Sequence, residues 1–470
     1  MTPAADDARP EAPSLAPDGV TAEPVPETDG VLAGPVVPEK PALPPDGADV
    51  GPAYDVPETP ARKKRRPLHV RLVRNRYTQR ARFLVLRLLY GWWRATRPVV
   101  PGRVVFASDS RATLSGNLGF IAEDMAKRYP DHEILTLLKP AIKARRSRRD
   151  AFRMPWLLAT AEVIVIDDYY PIIYSLKLRP ETRLAQVWHA AGAFKLVGFS
   201  RGSRPGGPLP GSNVHRGYSF VTVSSEQVRA NYAEAFGAAV DVVQPLGVPR
   251  TDVFFDEGWL TPTRDRVRKE LGLREDDRVV LYAPTFRGRG QKTARFDLTQ
   301  FDWSDFMRTV KAGDDGRRTV VLLKQHPFVK PPAPEVCEEL GFQDVSSYRE
   351  VNDLLLVADV LVTDYSSVIF EYALLRRPIV FFTPDLEEYV EHRDFYYPFD
   401  TYLVGPVAAT TEELGPLVAS ALVEGIDDPS RYDDFVERFV GACDGRSTQR
   451  VTDALLGRSG PDGPATPPQP

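Results

Sequence analysis

The sequence has few of the features that define several common protein classes. Only two of its 470 residues are cysteines, Cys337 and Cys443, and they form no CxxC pair, so we expect neither a disulfide framework nor a zinc site. No stretch reaches the roughly 18 apolar residues that a membrane-spanning helix needs. The first ten residues are acidic and polar, so we expect no signal peptide and a cytoplasmic protein with reduced thiols.

The formal net charge of −4 conceals an uneven distribution along the chain. Residues 1–60 hold 14 prolines and 12 acidic residues against two basic ones, with too few apolar side chains for a core, which predicts a disordered tail. Residues 61–97, here called the basic segment, hold 13 Lys or Arg and no acidic residue. The rest of the chain is mildly acidic, which argues against a nucleic-acid-binding protein.

The basic segment also carries an apolar pattern. It predicts a helix from Arg76 that ends before Pro98, with a narrow arginine stripe and a broad face of Leu, Phe and Trp. Such a helix, with only positive charge, is typical of the headgroup region of an anionic bilayer, and we assign 61–100 to a membrane-surface segment. The alternative is a helix packed on its own domain. A second basic cluster at 143–149, KARRSRR, is either a solvated helix face or another contact to acidic lipids.

From residue 103 onward, short β-rich runs alternate with helical stretches. Several of the runs are continuously apolar and end in Gly, Ser, Thr, Asp or His, which is typical of buried parallel strands with functional residues at their carboxyl ends. We therefore predict an α/β fold with two Rossmann-like parallel-sheet domains facing a cleft, at 101–248 and 249–457, and a disordered tail at 458–470. The ten runs are RVVFAS, EILTLL, AEVIVIDD, LAQVWHA, YSFVTVSS, VDVVQPLG, RVVLYAPT, TVVLLKQH, DVLVTDYSS and PIVFFTP.

Two histidines stand at the ends of predicted strands. His189 ends LAQVWH and precedes Ala-Ala-Gly, so a strand delivers an imidazole to a turn of small residues, where it can accept a proton from a hydroxyl nucleophile. Lys324 and His326 follow VVLL, and Pro327 stops the strand. A cation beside an imidazole suits an anionic phosphate. The structural alternatives are a histidine that caps a turn and a solvated lysine.

The run DVLVTDYSS predicts an anion pocket at the start of a helix. Thr363, Asp364, Ser366 and Ser367 lie at this strand-to-helix junction, where hydroxyls and unpaired backbone amides bind anions. Glu371 lies one turn further on and is predicted to reach ribose hydroxyls. The alternative is simple capping of the helix by Asp364 or Ser366.

Two further groups of polar residues bear on phosphate and metal binding. Thr285 and Arg287 leave the strand LYAP toward an Arg/Gly loop, and Arg287 is a candidate for bidentate phosphate binding, although arginines in such loops are often only solvated. The pairs Asp167-Asp168 and Asp276-Asp277 have no third ligand nearby in the sequence, so we expect no metal site.

Together these segments resemble the CDP-glycerol glycerophosphotransferase family, the teichoic-acid polymerase-like enzymes. The likeness covers about residues 160–450 and includes DLEEYVEHRDFYYPFD at 385–400. After the histidine the family has Gly-Thr-Pro, whereas this chain has Ala190-Ala191-Gly192, a departure that bears on acceptor specificity. The four main segments are QVWHAAGAFKLVG (186–198), YAPTFRG (282–288), KQHP (324–327) and NDLLLVADVLVTDYSSVIFEYALLRRPIVFF (352–382).

The resemblance implies a GT-B-like fold and transfer of glycerol phosphate, or a related polyol phosphate, from a CDP-activated donor to a lipid-linked glycan or polymer, with release of CMP. It implies His189 as the general base, His326 as a contact to the donor pyrophosphate, and Thr363, Ser366 and Ser367 as the phosphate-binding loop. We expect no cofactor, and a peripheral position on the cytoplasmic face of the cell membrane.

Two other functions stay open at this point. A GT-B glycosyltransferase that uses a nucleotide sugar in cell-envelope polysaccharide synthesis shares the architecture. A non-catalytic scaffold that binds membrane and polymer needs neither His189 nor the phosphate loop.

Overall fold

The structure, a computed structural model, describes residues 68–458 apart from 140–145, 205–206, 210, 289–292, 313–315, 349 and 393. The predicted tails (apart from Arg458), the first residues of the basic segment and the first part of the cluster at 143–149 therefore lie outside the described residues. The predicted α/β fold with two parallel sheets is confirmed, because the described residues form two six-stranded sheets in which all strands pair in parallel.

The first sheet has the strand order β2-β1-β3-β4-β5-β6. Its registers are regular, with Val104 of β1 opposite Ile134 of β2 on one side and Val163 of β3 on the other. The strands are β1 (Arg103–Ala107), β2 (Glu133–Leu137), β3 (Val163–Ile166), β4 (Arg183–Gln186), β5 (Phe220–Thr222) and β6 (Val243–Gln244).

The second sheet has the order β12-β11-β10-β7-β8-β9. The long strand β7 lies in the middle, paired with β8 and with β10. The strands are β7 (Arg278–Ala283), β8 (Thr319–Leu323), β9 (Gln343–Asp344), β10 (Val360–Thr363), β11 (Ile379–Phe382) and β12 (Val407–Ala408).

Helices connect the strands and cover both faces of each sheet. Val105 of β1 and Leu281 of β7 belong to one apolar core that extends over both sheets, whereas Val104 and Val280 face separate cores on the opposite sides. Because neighbouring residues of a strand point to opposite faces, continuously apolar strands are what such two-sided burial requires. The helices are α1 (Leu68–Thr96), α2 (Gly116–Arg128), α3 (Arg148–Thr160), α4 (Arg229–Phe236), α5 (Glu257–Glu270), α6 (Ser304–Lys311), α7 (Pro334–Leu340), α8 (Val351–Val357), α9 (Val368–Ala373), α10 (Leu386–His392), α11 (Thr411–Glu424), α12 (Pro429–Val440) and α13 (Ser447–Leu455).

Helix α1 begins at Leu68, earlier than the predicted Arg76, and ends at Thr96, before Pro98 as predicted. One face packs on the core that extends over both sheets, where Tyr90 is buried and Leu86 and Trp93 are partly buried. Another face leaves apolar side chains in solvent. In the described part of the chain, no helix combines the length and apolarity that crossing a membrane requires. The exposed apolar residues of this face are Leu84, Val85, Leu88 and Trp92.

The chain passes twice between the two sheets. After β6 it runs through the 3₁₀ segment Pro249–Phe255 into α5, and after α12 it returns to α13, whose Val451 packs in the core of the first sheet. The two passages are bonded to each other, because the Asp252 carboxylate accepts the backbone N–H groups of Ser447 (2.9 Å) and Thr448 (2.6 Å). The last helix, which we predicted within the domain 249–457, thus contacts the first sheet.

Candidate active site

His189 lies just beyond the carboxyl end of β4, as the sequence predicts. Its Nδ1 lies 3.2 Å from the backbone carbonyl oxygen of Asp167, and 3.9 Å from the Asp168 carboxylate. A carbonyl oxygen only accepts hydrogen bonds, so Nδ1 carries the proton and Nε2 holds the lone pair. The side chain is 43% exposed. His189 is therefore oriented to accept a proton at Nε2, with a carboxylate near enough to stabilise the imidazolium.

Two buried side chains hold the backbone that carries this histidine. Gln186 accepts the backbone N–H of Trp188 at 2.9 Å, and Asn117 donates its amide to the carbonyls of Val187 (3.0 Å) and Trp188 (2.6 Å). Trp188 has φ of 35°, a conformation that an L-residue keeps only when its surroundings impose it. Sequence reasoning missed both Gln186 and Asn117. Gln186 stands inside the quoted motif, whereas Asn117 lies in α2 without a local signal.

A buried aromatic cluster packs against Gln186 and Trp188, which precede His189. The hydroxyls of Tyr174 and Tyr218 share a hydrogen bond of 2.6 Å, and the Tyr218 hydroxyl lies 2.8 Å from Nδ1 of His215. Burial lowers the pKa of His215 to about 4, so this histidine stays neutral at physiological pH. Sequence reasoning did not single it out, and its buried position is typical of a packing residue.

The turn after His189 packs against the second sheet's phosphate-loop helix. Gly192 has φ of +64°, and a Cβ on it would lie 2.6 Å from the ring of Phe370 in α9. Its N–H donates to Ser224 Oγ at 2.8 Å. In the family that the sequence resembles, Gly-Thr-Pro follows the histidine, which would put proline at position 192. Proline fixes φ near −65° and has no N–H, so it does not fit the backbone of this chain at that position. The departure at 190–192 therefore corresponds to a close contact between the two halves of the site.

His326 follows β8, again as predicted, but its ring is held in the opposite tautomer. Its Nδ1 accepts the backbone N–H of Phe328 at 3.1 Å, so in the neutral ring the proton is on Nε2. The ring is flanked by Phe286 (4.7 Å) and Phe328 (4.6 Å between centroids). A fixed N–H donor at this point suits a phosphate oxygen, which only accepts hydrogen bonds.

The predicted phosphate loop divides into exposed and buried members. Ser366 and Ser367 are partly exposed at the start of α9, and Ser366 Oγ accepts the N–H of Val368 at 3.4 Å. Thr363 is fully buried, and its hydroxyl donates to the carbonyl of Ala283 at 2.7 Å. Thr363 therefore ties β10 to β7 and is not placed to meet a ligand, in contrast to its predicted role.

Asp364, Thr285 and Arg287 form an internal network. Asp364 is buried and accepts the N–H (2.8 Å) and hydroxyl (2.5 Å) of Thr285 and one guanidinium N–H of Arg287 (2.9 Å). Asp385 binds the same guanidinium through two hydrogen bonds of 2.5 and 2.8 Å. Although burial opposes the charged form, the two carboxylates raise the pKa of Arg287. The charge of Arg287 is thus balanced within the protein. Instead of the predicted bidentate phosphate contact, Arg287 links the loops that carry Asp364 and Asp385.

Lys324 and Glu371 also have structural partners in place of the predicted ligands. The Lys324 ammonium donates to the carbonyls of Ser346 (2.9 Å) and Tyr348 (2.7 Å), and burial lowers its pKa. Glu371 has a side chain that is only 3% exposed and pairs with Arg250, so its carboxylate does not reach toward ribose hydroxyls. Among the residues that the structure describes, no three His, Cys, Asp or Glu side chains are grouped to hold a metal ion.

Comparison with known proteins shows which family the amino-acid sequence belongs to. Residues 92–457 match the family described as CDP-Glycerol:Poly(glycerophosphate) glycerophosphotransferase. The chain is 41% identical over 384 residues to the teichoic acid poly(ribitol-phosphate) polymerase of Bacillus spizizenii, covering 81% of this chain and 60% of that protein. It is 40% identical to the ribitol-phosphate polymerase TarK of Staphylococcus aureus, covering 76% and 68% of the two chains.

A shorter relative and a solved structure add to this. The teichoic acid ribitol-phosphate primase of Bacillus spizizenii is 35% identical over 369 residues, which is 77% of this chain and 92% of that protein. The structure of the wall teichoic acid polymerase TagF superposes with a TM-score of 0.66 at 23% identity, over 82% of this chain and 95% of that chain. The predicted GT-B-like fold is thereby confirmed.

Proposed function

The chain belongs to the CDP-glycerol:poly(glycerophosphate) glycerophosphotransferase family, and on this premise we propose that it transfers a polyol phosphate from a CDP-activated donor to a hydroxyl of a teichoic-acid polymer or its lipid-linked glycan. Ribitol phosphate is the first candidate, because relatives named for ribitol phosphate are 35–41% identical, against 25–28% for those named for glycerol phosphate. This proposal sharpens the sequence-based expectation, which named glycerol phosphate or a related polyol.

The observation that carries the proposal is that the two histidines are held in different tautomers, with the proton on Nδ1 in His189 and on Nε2 in His326. In the proposed reaction, Nε2 of His189 accepts the proton of the acceptor hydroxyl while the hydroxyl oxygen attacks the distal phosphorus of the donor. The bond from that phosphorus to CMP breaks, and CMP leaves. While this bond breaks, the Nε2–H of His326 and the hydroxyls of Ser366 and Ser367 stabilise the charge that develops on the two donor phosphates, since phosphoryl transfer depends on positioning and charge stabilisation.

The acceptor is proposed to be held at an anionic membrane surface, with the enzyme on its cytoplasmic face. Support comes from α1, where Leu84, Leu88 and Trp92 are each more than half exposed on one face. Exposed arginines at positions 80, 82 and 87 flank these side chains, and residues 61–97 contain no acidic residue. An apolar face beside positive charge matches the headgroup region of an anionic bilayer.

A donor panel tests the proposed reaction. The full chain is incubated with CDP-ribitol, CDP-glycerol or UDP-sugars and a short water-soluble acceptor, and nucleotide release and product mass are measured. We expect CMP and a product that is heavier by one polyol phosphate per CMP. UDP release with sugar addition would instead support a glycosyltransferase. Polymer binding without turnover of any donor would support the scaffold.

A further inference from the structure

The first sheet brings a row of charged residues up to His189. Its order β2-β1-β3-β4 sets Lys139, Arg111, Asp167 and His189 beyond the carboxyl ends of four successive neighbouring strands. Neighbouring strands are about 4.8 Å apart, so the row extends about 14 Å from His189. Sequence reasoning singled out neither Lys139 nor Arg111, whereas the nearby Arg146 belongs to the basic cluster at 143–149 named above.

These residues form one connected group, which we call the edge cluster: Asp109, Arg111, Lys139, Arg146 and Asp167. Asp109 lies between two cations, 3.0 Å from the Lys139 ammonium and 2.5 Å from the Arg146 guanidinium. Arg111 pairs with Asp167, and its carbonyl accepts the N–H of Lys139 at 3.0 Å. Since the Asp167 carbonyl also binds His189, the edge cluster reaches the proposed base directly.

The edge cluster holds more positive than negative charge in a partly desolvated place. Three cations face two carboxylates, while Asp168 is turned toward His189. The Arg146 side chain is 9% exposed, and its Nε has no hydrogen-bond partner among the described residues; the same is true of Asp167 Oδ1. Burying a cation without full compensation is costly, and a bound anion offsets that cost.

We propose that the edge cluster binds a phosphodiester of the acceptor chain, the one that precedes the hydroxyl presented to His189. The proposal rests on the proposed function and names its acceptor class: a chain that already ends in polyol phosphate. Arginine and lysine N–H groups bind phosphate oxygens through charge-assisted hydrogen bonds. The polymer then runs from β4 toward β2, and elongation is favoured over initiation on a neutral glycan.

Two substitutions of opposite charge effect test the edge cluster. Lys139→Gln removes a cation, and Asp109→Asn removes an anion; Lys127→Gln, on the exposed end of α2, is the control. Each variant is assayed with two soluble acceptors, one ending in polyol phosphate and one ending in an uncharged sugar. We expect Lys139→Gln to raise the KM of the phosphate-ending acceptor about tenfold and Asp109→Asn to lower it. The KM of the uncharged acceptor and of the donor should stay unchanged.

Several results would overturn the proposal. Equal losses on both acceptors, with a lowered melting temperature, would indicate that the cluster only stabilises the fold. An unchanged acceptor KM in both variants would exclude a role in binding. Inorganic phosphate that competes as well as the phosphate-ending acceptor would assign the cluster to a small anion instead of a chain.

Binding separates this proposal from the proposed function. Wild-type protein that turns over no CDP-polyol would refute the function, and calorimetric titration with a short poly(ribitol phosphate) and with ribitol then decides the edge cluster. Binding of the polymer but not of ribitol, weakened by Lys139→Gln, supports the assignment. Equal binding of both, or none, overturns it.

Discussion

At the scale of single residues, His189 is the side chain whose loss should stop the reaction. Its Nδ1–H is fixed by the Asp167 carbonyl, so the ring is held ready to accept a proton. We expect His189→Ala to lower kcat by about 10²–10⁴-fold while donor affinity stays nearly unchanged. His132→Ala is the control, since His132 precedes β2 at the opposite edge of the sheet. Near-wild-type turnover in His189→Ala would remove this residue from the mechanism.

His326 should act on the donor instead. Its Nδ1 accepts the Phe328 N–H, so the neutral ring carries its proton on Nε2, which is the donor that we propose for a phosphate oxygen. We expect His326→Ala to raise the donor KM by about tenfold or more, the usual effect of losing a hydrogen bond to a charged group, while acceptor KM changes little. Steady-state kinetics with donor and acceptor varied separately measures this, and a raised acceptor KM alone would contradict the assignment.

Sequence reasoning placed the candidate residues in the fold better than it identified their partners. His189 and His326 were predictable because each directly follows an apolar strand, and strand ends meet at one edge of a parallel sheet. The roles of Arg287, Lys324 and Glu371 were not predictable. Their partners lie 98 residues away at Asp385, 22 at Ser346 and 121 at Arg250, so local sequence contains no sign that these charges are already paired.

At the scale of elements, the turn after β4 depends on a small residue where it meets α9. Gly192→Ala introduces both a strained φ and a clash with Phe370, whereas Gly202→Ala, with φ of +55° and open space around it, introduces only the strain. We expect backbone strain to destabilise both variants, and overpacking against Phe370 to add about 1–3 kcal/mol at Gly192. Chemical denaturation measures both. Equal losses in the two variants would show that the contact with α9 yields easily.

The elements themselves were largely predictable. All ten predicted runs contain strands of the two sheets. Most of these strands are buried on both faces, and such burial demands continuous apolar residues that stand out in the sequence. The strands β9 and β12 were missed. Each has two residues at an edge of the second sheet, and Gln343-Asp344 has no apolar side chain to signal it.

At the scale of the whole molecule, α1 is proposed to bring the enzyme to the membrane. We expect Leu88→Glu with Trp92→Glu to weaken binding to anionic vesicles severalfold, because charge enters the apolar face, and to leave turnover of a soluble acceptor intact. Val423→Glu, at an exposed apolar position on α11, is the matched control. Cosedimentation measures binding, and wild-type vesicle binding by the double variant would refute the role of this face. A change of oligomeric state would assign the face to a second copy.

The double passage between the sheets has a mechanical consequence. A single connecting segment of chain allows the parts that it joins to twist about its backbone bonds. Here two segments run side by side, and the Asp252 carboxylate joins them. Gly247 lies close against Ser447, and Gly445 lies close against Phe255. This doubled connection therefore limits twisting of one sheet against the other more than a single segment of chain would.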